Sequence, residues 1–274
     1  MIPGTLRTRT TQWLKRYGIH VSKELGQHFL IDQDALTRII EYSDLSTDDQ
    51  VLEIGTGTGI LTQALAEHVH RVYTIEKDAK LYRILSQELE SSPRIHLIHG
   101  DATKIDWPQC NKVVANLPYA ISSPILFRFF ESTIPLAIIM LQKEFGERLT
   151  AQPGSKQYGR LTVMAAYHAR VELLDVVSPE AFYPPPKVSS ALVRITRNVY
   201  PPFEIKDSEL FGQVVTALFN QRRKKIRTPL KAFLGKDKFQ QIQVRISWLE
   251  QRVEELGPEQ IAEISNIIHE ERKK

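Results

Sequence analysis

The sequence Asn116-Leu117-Pro118-Tyr119 places an amide and an aromatic side chain on a stiffened turn, directly after residues 112–115, an apolar stretch that predicts a buried strand. The turn then lies beyond the carboxyl end of a strand, where open α/β sheets bind their ligands. Pro118 fixes its own φ and keeps Leu117 extended, which leaves carbonyl oxygens at the turn without ladder partners. These oxygens and the Asn116 amide oxygen are suited to accept hydrogen bonds from an exocyclic amine, and Tyr119 is suited to stack on the ring that carries it. Taken alone, the four residues fit an ordinary Asn-Pro turn equally well.

A glycine-rich loop provides the second candidate site. Gly55, Gly57 and Gly59 alternate with threonines between a predicted strand at 51–54 and a predicted helix at 60–67. Glycines let a ligand approach the backbone, and the start of the helix offers free N–H groups. The spacing G-x-G-x-G differs from the G-x-G-x-x-G of dinucleotide-binding folds, so the loop indicates a nucleotide-like ligand without requiring a pyrophosphate.

Two acidic residues end the next two predicted strands. Glu76 follows Gly55 by 21 residues, close to the offset at which an acid meets ribose hydroxyls in such folds. Asp101 ends the following strand, where its carboxylate is suited to bind an adenine amino group. Each acid alone is typical of a surface carboxylate, but three consecutive strands that end in a glycine loop or an acid predict a nucleoside pocket.

The elements that must position these residues alternate between strands and helices, which predicts a mainly parallel sheet with helices on both faces. We expect this catalytic domain to span residues 27–200. The sequence changes in character near Pro201 and has helical spacing from Asp207 onward, which predicts a small helical domain over residues 201–274. Residues 1–26 are rich in threonine and arginine and predict a weakly structured, basic segment.

Composition narrows the class of protein further. The 274 residues are 42% hydrophobic, enough for a substantial core, and the single cysteine excludes an internal disulfide framework or a cysteine-rich metal site, so we expect no metal. The first residues do not form a signal peptide, and no apolar run approaches the ~20 residues that span a bilayer. We therefore expect a soluble cytoplasmic protein with no membrane partner.

Positive charge is concentrated in two segments. Residues 1–26 hold five basic residues against one acid, and residues 222–238 hold eight against one. Either segment alone is typical of a solvated helix face. Together they flank an acidic body, as expected if separate elements grip a phosphate backbone.

The strand-GxGxG-helix unit, Glu76, Gly-Asp-Ala at 100–102 and the turn at 116–119 together resemble a class I S-adenosylmethionine-dependent N6-adenine methyltransferase. Gly-Gln-His-Phe-Leu at 26–30, Tyr-Pro-Pro-Pro-Lys-Val at 183–188 and Gln-Arg-Arg-Lys at 221–224 narrow the resemblance to the small-subunit ribosomal RNA adenine dimethyltransferase family. It covers nearly the whole chain from about Lys23, in the family's motif order. The resemblance implies an α/β fold: a Rossmann-like class I methyltransferase sheet with helices on both faces and a small all-helical C-terminal domain.

The resemblance also implies roles for individual residues. S-adenosylmethionine contacts are expected from His28, Leu30, Gly55, Glu76, Asp101 and Asn116. His28 stands where many bacterial relatives have asparagine, so it is expected to contact the cofactor differently or through its backbone. The catalytic turn comprises Asn116, Leu117, Pro118 and Tyr119. The target base is expected to stack on Tyr119 and Phe182, with core packing as the alternative for Phe182. RNA contacts are expected from Arg222, Arg223 and Lys224.

The substrate implied by the resemblance is small-subunit ribosomal RNA, in a pre-ribosomal particle. Two adjacent adenosines in a hairpin near its 3′ end would each become N6,N6-dimethyladenosine, and the enzyme is expected to be a monomer. One alternative is the large-subunit ribosomal RNA methyltransferase branch, against which the segments at 183–187 and 221–224 argue. Another is a noncatalytic RNA-binding assembly or transcription factor on the same fold. A dehydrogenase is disfavoured because it leaves the turn at 116–119 unexplained.

Overall fold

The computed structural model describes residues 4–19, 21 and 26–273. The chain divides into two compact units. The first comprises Met1–Gly146 and Glu172–Arg197, and the second comprises Glu147–Val171 and Asn198–Lys274. The second unit therefore begins earlier than the expected boundary at residue 201, because it also takes in a segment between two stretches of the first.

The helices are α1 (Leu6–Arg16), α2 (Gln33–Tyr42), α3 (Ile60–Ala66), α4 (Ala79–Glu88), α5 (Ser122–Glu131), α6 (Lys143–Leu149), α7 (Arg160–His168), α8 (Ser208–Phe219), α9 (Arg227–Leu234), α10 (Lys236–Ile242) and α11 (Pro258–Arg272). The strands are β1 (Phe29–Leu30), β2 (Gln50–Ile54), β3 (Arg71–Glu76), β4 (Ile95–His99), β5 (Lys112–Asn116), β6 (Leu136–Gln142), β7 (Ala169–Val177), β8 (Phe182–Tyr183) and β9 (Ser190–Arg197). Within the described part of the chain, none of these helices is both long and apolar enough to cross a bilayer.

The central sheet has the strand order β4-β3-β2-β5-β6-β9-β7. Neighbouring strands from β4 to β6 are parallel, and β9 pairs with β6 antiparallel. The chain steps outward from β2 to β4, then returns and steps outward in the other direction from β5. The order therefore reverses between β2 and β5, and the crevice beyond their carboxyl ends is the place where such sheets bind ligands.

Apolar residues on the strands fix the layers of the first unit. Val51, Val72 and Val114 of the sheet pack in one buried cluster with residues of α2 and α3, among them Ile39 and Leu65. All five of these side chains are at most 1% exposed. The mainly parallel sheet with covering helices confirms the predicted fold class.

The N-terminal segment differs from the weakly structured one that was expected, because Leu6–Arg16 form a helix. Trp13 and Leu14 of α1 pack against α4 residues in a buried cluster, and Glu88 accepts hydrogen bonds from Trp13 Nε1 at 2.7 Å and Tyr17 Oη at 2.6 Å. These distant partners hold a segment that threonines disfavour as an isolated helix. Lys23 and Glu24, part of the predicted basic segment, lie outside the described residues.

The second unit is helical, as predicted from Asp207 onward, and has its own buried cluster. Tyr158 lies in this cluster with 0% exposure, and its hydroxyl donates to Leu256 O at 2.7 Å. Its ring also meets Phe219 edge-on at a centroid distance of 5.6 Å. Tyr158 thus ties the inserted segment at 147–171 to the helices that follow residue 207.

We expect Tyr158→Phe to lower the free energy of unfolding of the second unit by about 1–2 kcal/mol, because the variant leaves the buried Leu256 carbonyl without its donor. Denaturant unfolding of the full chain, followed by a probe in the second unit, measures the change. Tyr200→Phe is the matched control, since Tyr200 is 87% exposed. Equal stability of the two variants would contradict the role of the Tyr158 hydroxyl.

Candidate active site

A cavity of about 220 Å³ opens at the reversal point of the sheet in the first unit. Its lining includes all the residues of the predicted catalytic turn, namely Asn116, Leu117, Pro118 and Tyr119. It also includes the predicted cofactor residues His28, Leu30, Gly55, Glu76 and Asp101. The structure thus brings together residues from five segments that are separate in the sequence.

The glycine loop lies against the catalytic turn at Gly55, where a side chain would make a tight contact. Gly55 has a φ of +84°, and a Cβ there would lie 3.3 Å from Pro118 Cδ. Gly57 has a φ of +60°, and its Cβ would lie 3.4 Å from the ring of Phe29. Both positions therefore favour glycine by backbone conformation, and residue 55 favours it also by space. The loop leaves room for a ligand against the backbone at the start of α3.

Glu76 is held at the end of β3 by the backbone. Its Oε2 accepts from Gly57 N at 3.1 Å and its Oε1 accepts from Asp78 N at 2.8 Å. Burial raises the pKa of this carboxyl, and the two backbone donors oppose that rise. Each oxygen keeps capacity for a further hydrogen bond, which suits a pair of ribose hydroxyls.

Asp101 begins the loop after β4, and its two oxygens have different partners. Oδ1 accepts from the Thr103 hydroxyl at 2.6 Å and from Thr103 N at 3.0 Å. Oδ2 lies 3.0 Å from Lys77 Nζ. The Thr103 hydroxyl and the Lys77 ammonium hold the pKa of Asp101 well below its usual range, so the carboxylate is ionised at neutral pH.

The amide of Asn116 is oriented by a backbone carbonyl. Its Nδ2 donates to His28 O at 3.3 Å, so its Oδ1 is the atom left to accept a hydrogen bond from a ligand. Leu117 N donates to Met140 O at 3.1 Å, and Pro118 O accepts from Ile121 N at 3.0 Å. No described residue donates to Leu117 O. Asn116 Oδ1 and Leu117 O are therefore the acceptors that the turn offers to an amine.

Tyr119 is held on two sides. Its hydroxyl bonds to Ser190 Oγ at 2.7 Å, and its ring stacks on His28 at a centroid distance of 5.6 Å and an angle of 30°. His28 Nδ1 lies 2.7 Å from Pro184 O, which only accepts, so Nδ1 carries the proton. Burial raises the pKa of the Tyr119 hydroxyl, which therefore stays neutral. One aromatic face is thus fixed beside the amine acceptors of the turn.

Phe182 is not brought to the cavity. It pairs with Leu30 between β8 and β1, is 1% exposed, and packs in the core cluster of the first unit. Neither face of its ring is open to a base in this structure, which supports core packing, the alternative reading of this residue, over the predicted stacking role. Leu30 is 7% exposed and reaches the cavity wall from the same ribbon.

Glu53 is a buried acid in the cavity wall that the sequence interpretation missed. It is 1% exposed, and its Oε2 accepts from the Thr62 hydroxyl at 2.5 Å and the Thr74 hydroxyl at 2.7 Å. Burial raises the pKa of Glu53 to about 8. The signal in the sequence that could have identified Glu53 is an acidic residue inside an otherwise apolar strand. The hydroxyls fasten β2 to α3 and β3 directly beneath the glycine loop.

The predicted RNA-binding residues divide into two kinds within the second unit. Arg222 Nε donates to Glu254 Oε2 at 2.9 Å, and its NH1 donates to Lys156 O at 2.9 Å. Its guanidinium therefore stabilises the fold of this unit. Arg223 and Lys224 are exposed and have no side-chain hydrogen bond or ion pair with any described residue.

Comparison with known families gives one match that spans most of the chain. The family model described as ribosomal RNA adenine dimethylase matches residues 19–270. Among curated proteins, the probable ribosomal RNA small subunit methyltransferase A of Methanothermobacter thermautotrophicus is 40% identical over 276 residues, which cover 97% of each chain. The protein of the same description from Thermococcus kodakarensis is 40% identical and covers 97% of this chain and 96% of its own.

Two solved structures are similar to most of this chain. A dimethyladenosine transferase from Plasmodium falciparum superposes with a TM-score of 0.75 at 25% identity, covering 90% of this chain and 98% of the other. The 23S rRNA methyltransferase ErmE superposes with a TM-score of 0.67 at 29% identity, covering 88% of this chain and 99% of the other.

The titration of Glu53 predicts a pH dependence of stability. Its pKa in the folded protein is about 8, whereas the ordinary pKa of a glutamate side chain is 4.5. The stabilising effect of the protonated carboxyl is therefore complete below that ordinary value and is lost as pH rises towards 8, by about 1 kcal/mol per pH unit. Glu53→Gln stays neutral at every pH and keeps an oxygen for the Thr62 and Thr74 hydroxyls.

Denaturant unfolding of both proteins between about pH 5 and pH 9 measures the difference. We expect wild type to lose stability relative to Glu53→Gln up to about pH 8 and then to run parallel to it. Parallel profiles over the whole range would show that Glu53 titrates normally.

Proposed function

Because the chain belongs to the ribosomal RNA adenine dimethylase family, we propose that it transfers methyl groups from S-adenosylmethionine to N6 of two adjacent adenosines in a 3′-terminal hairpin of small-subunit ribosomal RNA. The family makes the chain an S-adenosylmethionine-dependent ribosomal RNA small-subunit adenine dimethyltransferase. The finer proposal concerns which nucleotides are modified and how. The observation that carries it is the meeting of the glycine loop, both strand-end acids and the turn at 116–119 around one cavity.

The hydrogen-bonding groups of the cavity fit S-adenosylmethionine. Glu76 offers two carboxylate oxygens where ribose hydroxyls are expected, and Asp101 offers Oδ2 for an adenine amino group. Gly55 and Gly57 both have a positive φ that favours glycine, and a Cβ at residue 55 would crowd Pro118. When bound, the cofactor supplies an electrophilic methyl group on a sulfonium. Leu30 and the backbone at His28 would complete the cofactor contacts.

The turn orients the nucleophile. Adenine N6 is a poor nucleophile because its lone pair is delocalised into the ring. Hydrogen bonds from its two N–H groups to Asn116 Oδ1 and Leu117 O favour a more tetrahedral nitrogen and direct its lone pair at the methyl group. Alignment of this kind contributes about 7–11 kcal/mol to lowering a barrier. No strong general base is required, since the proton on N6 becomes acidic once the methyl group has transferred.

The base is held mainly by stacking. The Tyr119 ring, fixed by Ser190 and His28, offers one face to the target adenine, and base stacking contributes about 1–3 kcal/mol. A monomethylated amine has one N–H group fewer, so a pocket that depended on both hydrogen bonds would reject it. Stacking on Tyr119 permits the second transfer. The base must leave its own stack to enter the pocket, which is easiest in a hairpin loop.

The small subunit is preferred over the large one as the substrate. Curated relatives at 40% identity over 97% of the chain are named as small-subunit methyltransferases, whereas the 23S enzyme is 29% identical over 88%. A noncatalytic RNA-binding assembly or transcription factor is disfavoured because the acceptors at Asn116 and Leu117 are complete. We propose that the protein acts in the cytoplasm as a monomer on a pre-ribosomal small subunit, and that Arg223 and Lys224 contact the RNA backbone.

We expect Asn116→Ala to reduce methyl transfer by at least about 100-fold, because the variant removes one of the two acceptors that orient N6. The assay incubates the protein with labelled S-adenosylmethionine and undermethylated small subunits and maps the modified nucleotides. Circular dichroism verifies that the variant is folded. Turnover like that of wild type would refute the assigned mechanism, and label on large-subunit RNA or on other nucleotides would refute the proposed substrate.

We expect Arg223→Ala with Lys224→Ala to weaken binding to small-subunit RNA and to reduce the slope of log Kd against log salt by about 1–2. The reason is that a protein with fewer phosphate contacts releases fewer counterions from the RNA when it binds. Lys104→Ala in the first unit is the control for the loss of one positive charge from an exposed site elsewhere in the chain. Arg222→Ala is expected to lower the stability of the second unit, because its bonds are internal. A salt slope equal to that of wild type would remove these two residues from the RNA contact.

A further inference from the structure

Lys77 places a positive charge inside the cavity. It follows Glu76 at the end of β3, lines the cavity, and its Nζ lies 3.0 Å from Asp101 Oδ2. Strands β3 and β4 are adjacent and parallel, with Glu76 opposite His99, so the pair bridges two neighbouring strand ends. The Lys77 side chain is 58% exposed and that of Asp101 is 19% exposed. The ammonium of Lys77 is therefore the more exposed member of this ion pair.

The hydrogen bonds of Asp101 determine which atom meets a ligand. Oδ1 already accepts twice from Thr103, once from the hydroxyl and once from the backbone. Oδ2 has Lys77 as its partner. An oxygen of an ionised carboxylate has two acceptor sites, so Oδ2 is the oxygen that an adenine amino group would use. Lys77 and the amino group are therefore directed at the same atom.

We propose that Lys77 weakens the hold of Asp101 on the adenine amino group of the cofactor. This inference rests on the proposed function, since it assigns the adenine end of the cavity to Asp101. A carboxylate binds a charged ammonium more strongly than a neutral amine. The amino group either displaces the ammonium and loses the ion pair, or shares an oxygen whose charge is partly neutralised. Both routes reduce the gain from binding the amino group.

Weakened binding of adenosine has a use in this reaction. S-adenosylhomocysteine, the product, carries the same adenosine as the donor and must leave before a second methyl transfer on the same base. A residue that loosens the adenine end favours this exchange without touching the atoms that react. Because Lys77 is largely exposed, the expected effect on affinity is a factor of about 2–5.

Calorimetric titration of the full chain tests the proposal with two probes: S-adenosylhomocysteine and its analogue whose base is purine, without the amino group. Lys77→Met keeps the apolar stem and removes the ammonium. We expect it to bind S-adenosylhomocysteine about 2–5-fold more tightly than wild type and the purine analogue with unchanged affinity. Lys77→Arg should restore wild-type affinity for both probes. Lys104→Met is the matched control, an exposed lysine near Asp101 that does not line the cavity.

The possible results distinguish a failure of the proposal for Lys77 from a failure of the proposed cofactor site. Weaker or unchanged binding of S-adenosylhomocysteine by Lys77→Met would overturn the proposal for Lys77. Equal tightening for both probes would also overturn it, because the effect would not involve the amino group. If wild type failed to bind S-adenosylhomocysteine at all, the cofactor site itself would be refuted.

Discussion

The close approach of Gly55 to Pro118 is the constraint on which the site depends. A Cβ at residue 55 would lie 3.3 Å from Pro118 Cδ, and the φ of +84° is one that other residues rarely adopt. One residue begins the loop after β2 and the other belongs to the turn after β5. Their contact therefore brings the segments that follow β2 and β5 close together at the reversal point of the sheet. A reaction between two bound molecules needs this, since their reacting atoms must come within about 3–3.5 Å.

The sequence predicted much of the fold and of the site because both follow from periodic patterns and from topology. Parallel strands end at the same edge of a sheet, so motifs that each follow a strand, such as the glycine loop, Glu76 and Asp101, are expected to meet. The structure places them around one cavity with Asn116. The comparisons bear on the family and the fold, while the individual roles remain predictions.

Side-chain partners that are distant in sequence account for what could not be predicted. The helix at Leu6–Arg16 depends on Glu88 and on apolar packing against α4. Arg222 belongs to a run of basic residues, yet Glu254 and backbone carbonyls take up its donors. Phe182 was expected to stack on the target base, with core packing as the alternative, and it is 1% exposed. In each case composition indicates what a side chain is able to do, and only the tertiary fold decides which partner it meets.

The lining of the cavity and the residues that fasten it are made at different times. Every described residue that lines the cavity lies between Gly26 and Ile121, so this lining emerges early from the exit tunnel. The fastenings of Tyr119 and His28 come from Ser190 and Pro184, and β9 extends the sheet only after most of the chain has been made. Contacts that close long loops form late in folding. Neither β1, which pairs with β8, nor Tyr119 therefore reaches its final position in a nascent chain until the segment from β8 to β9 has been made.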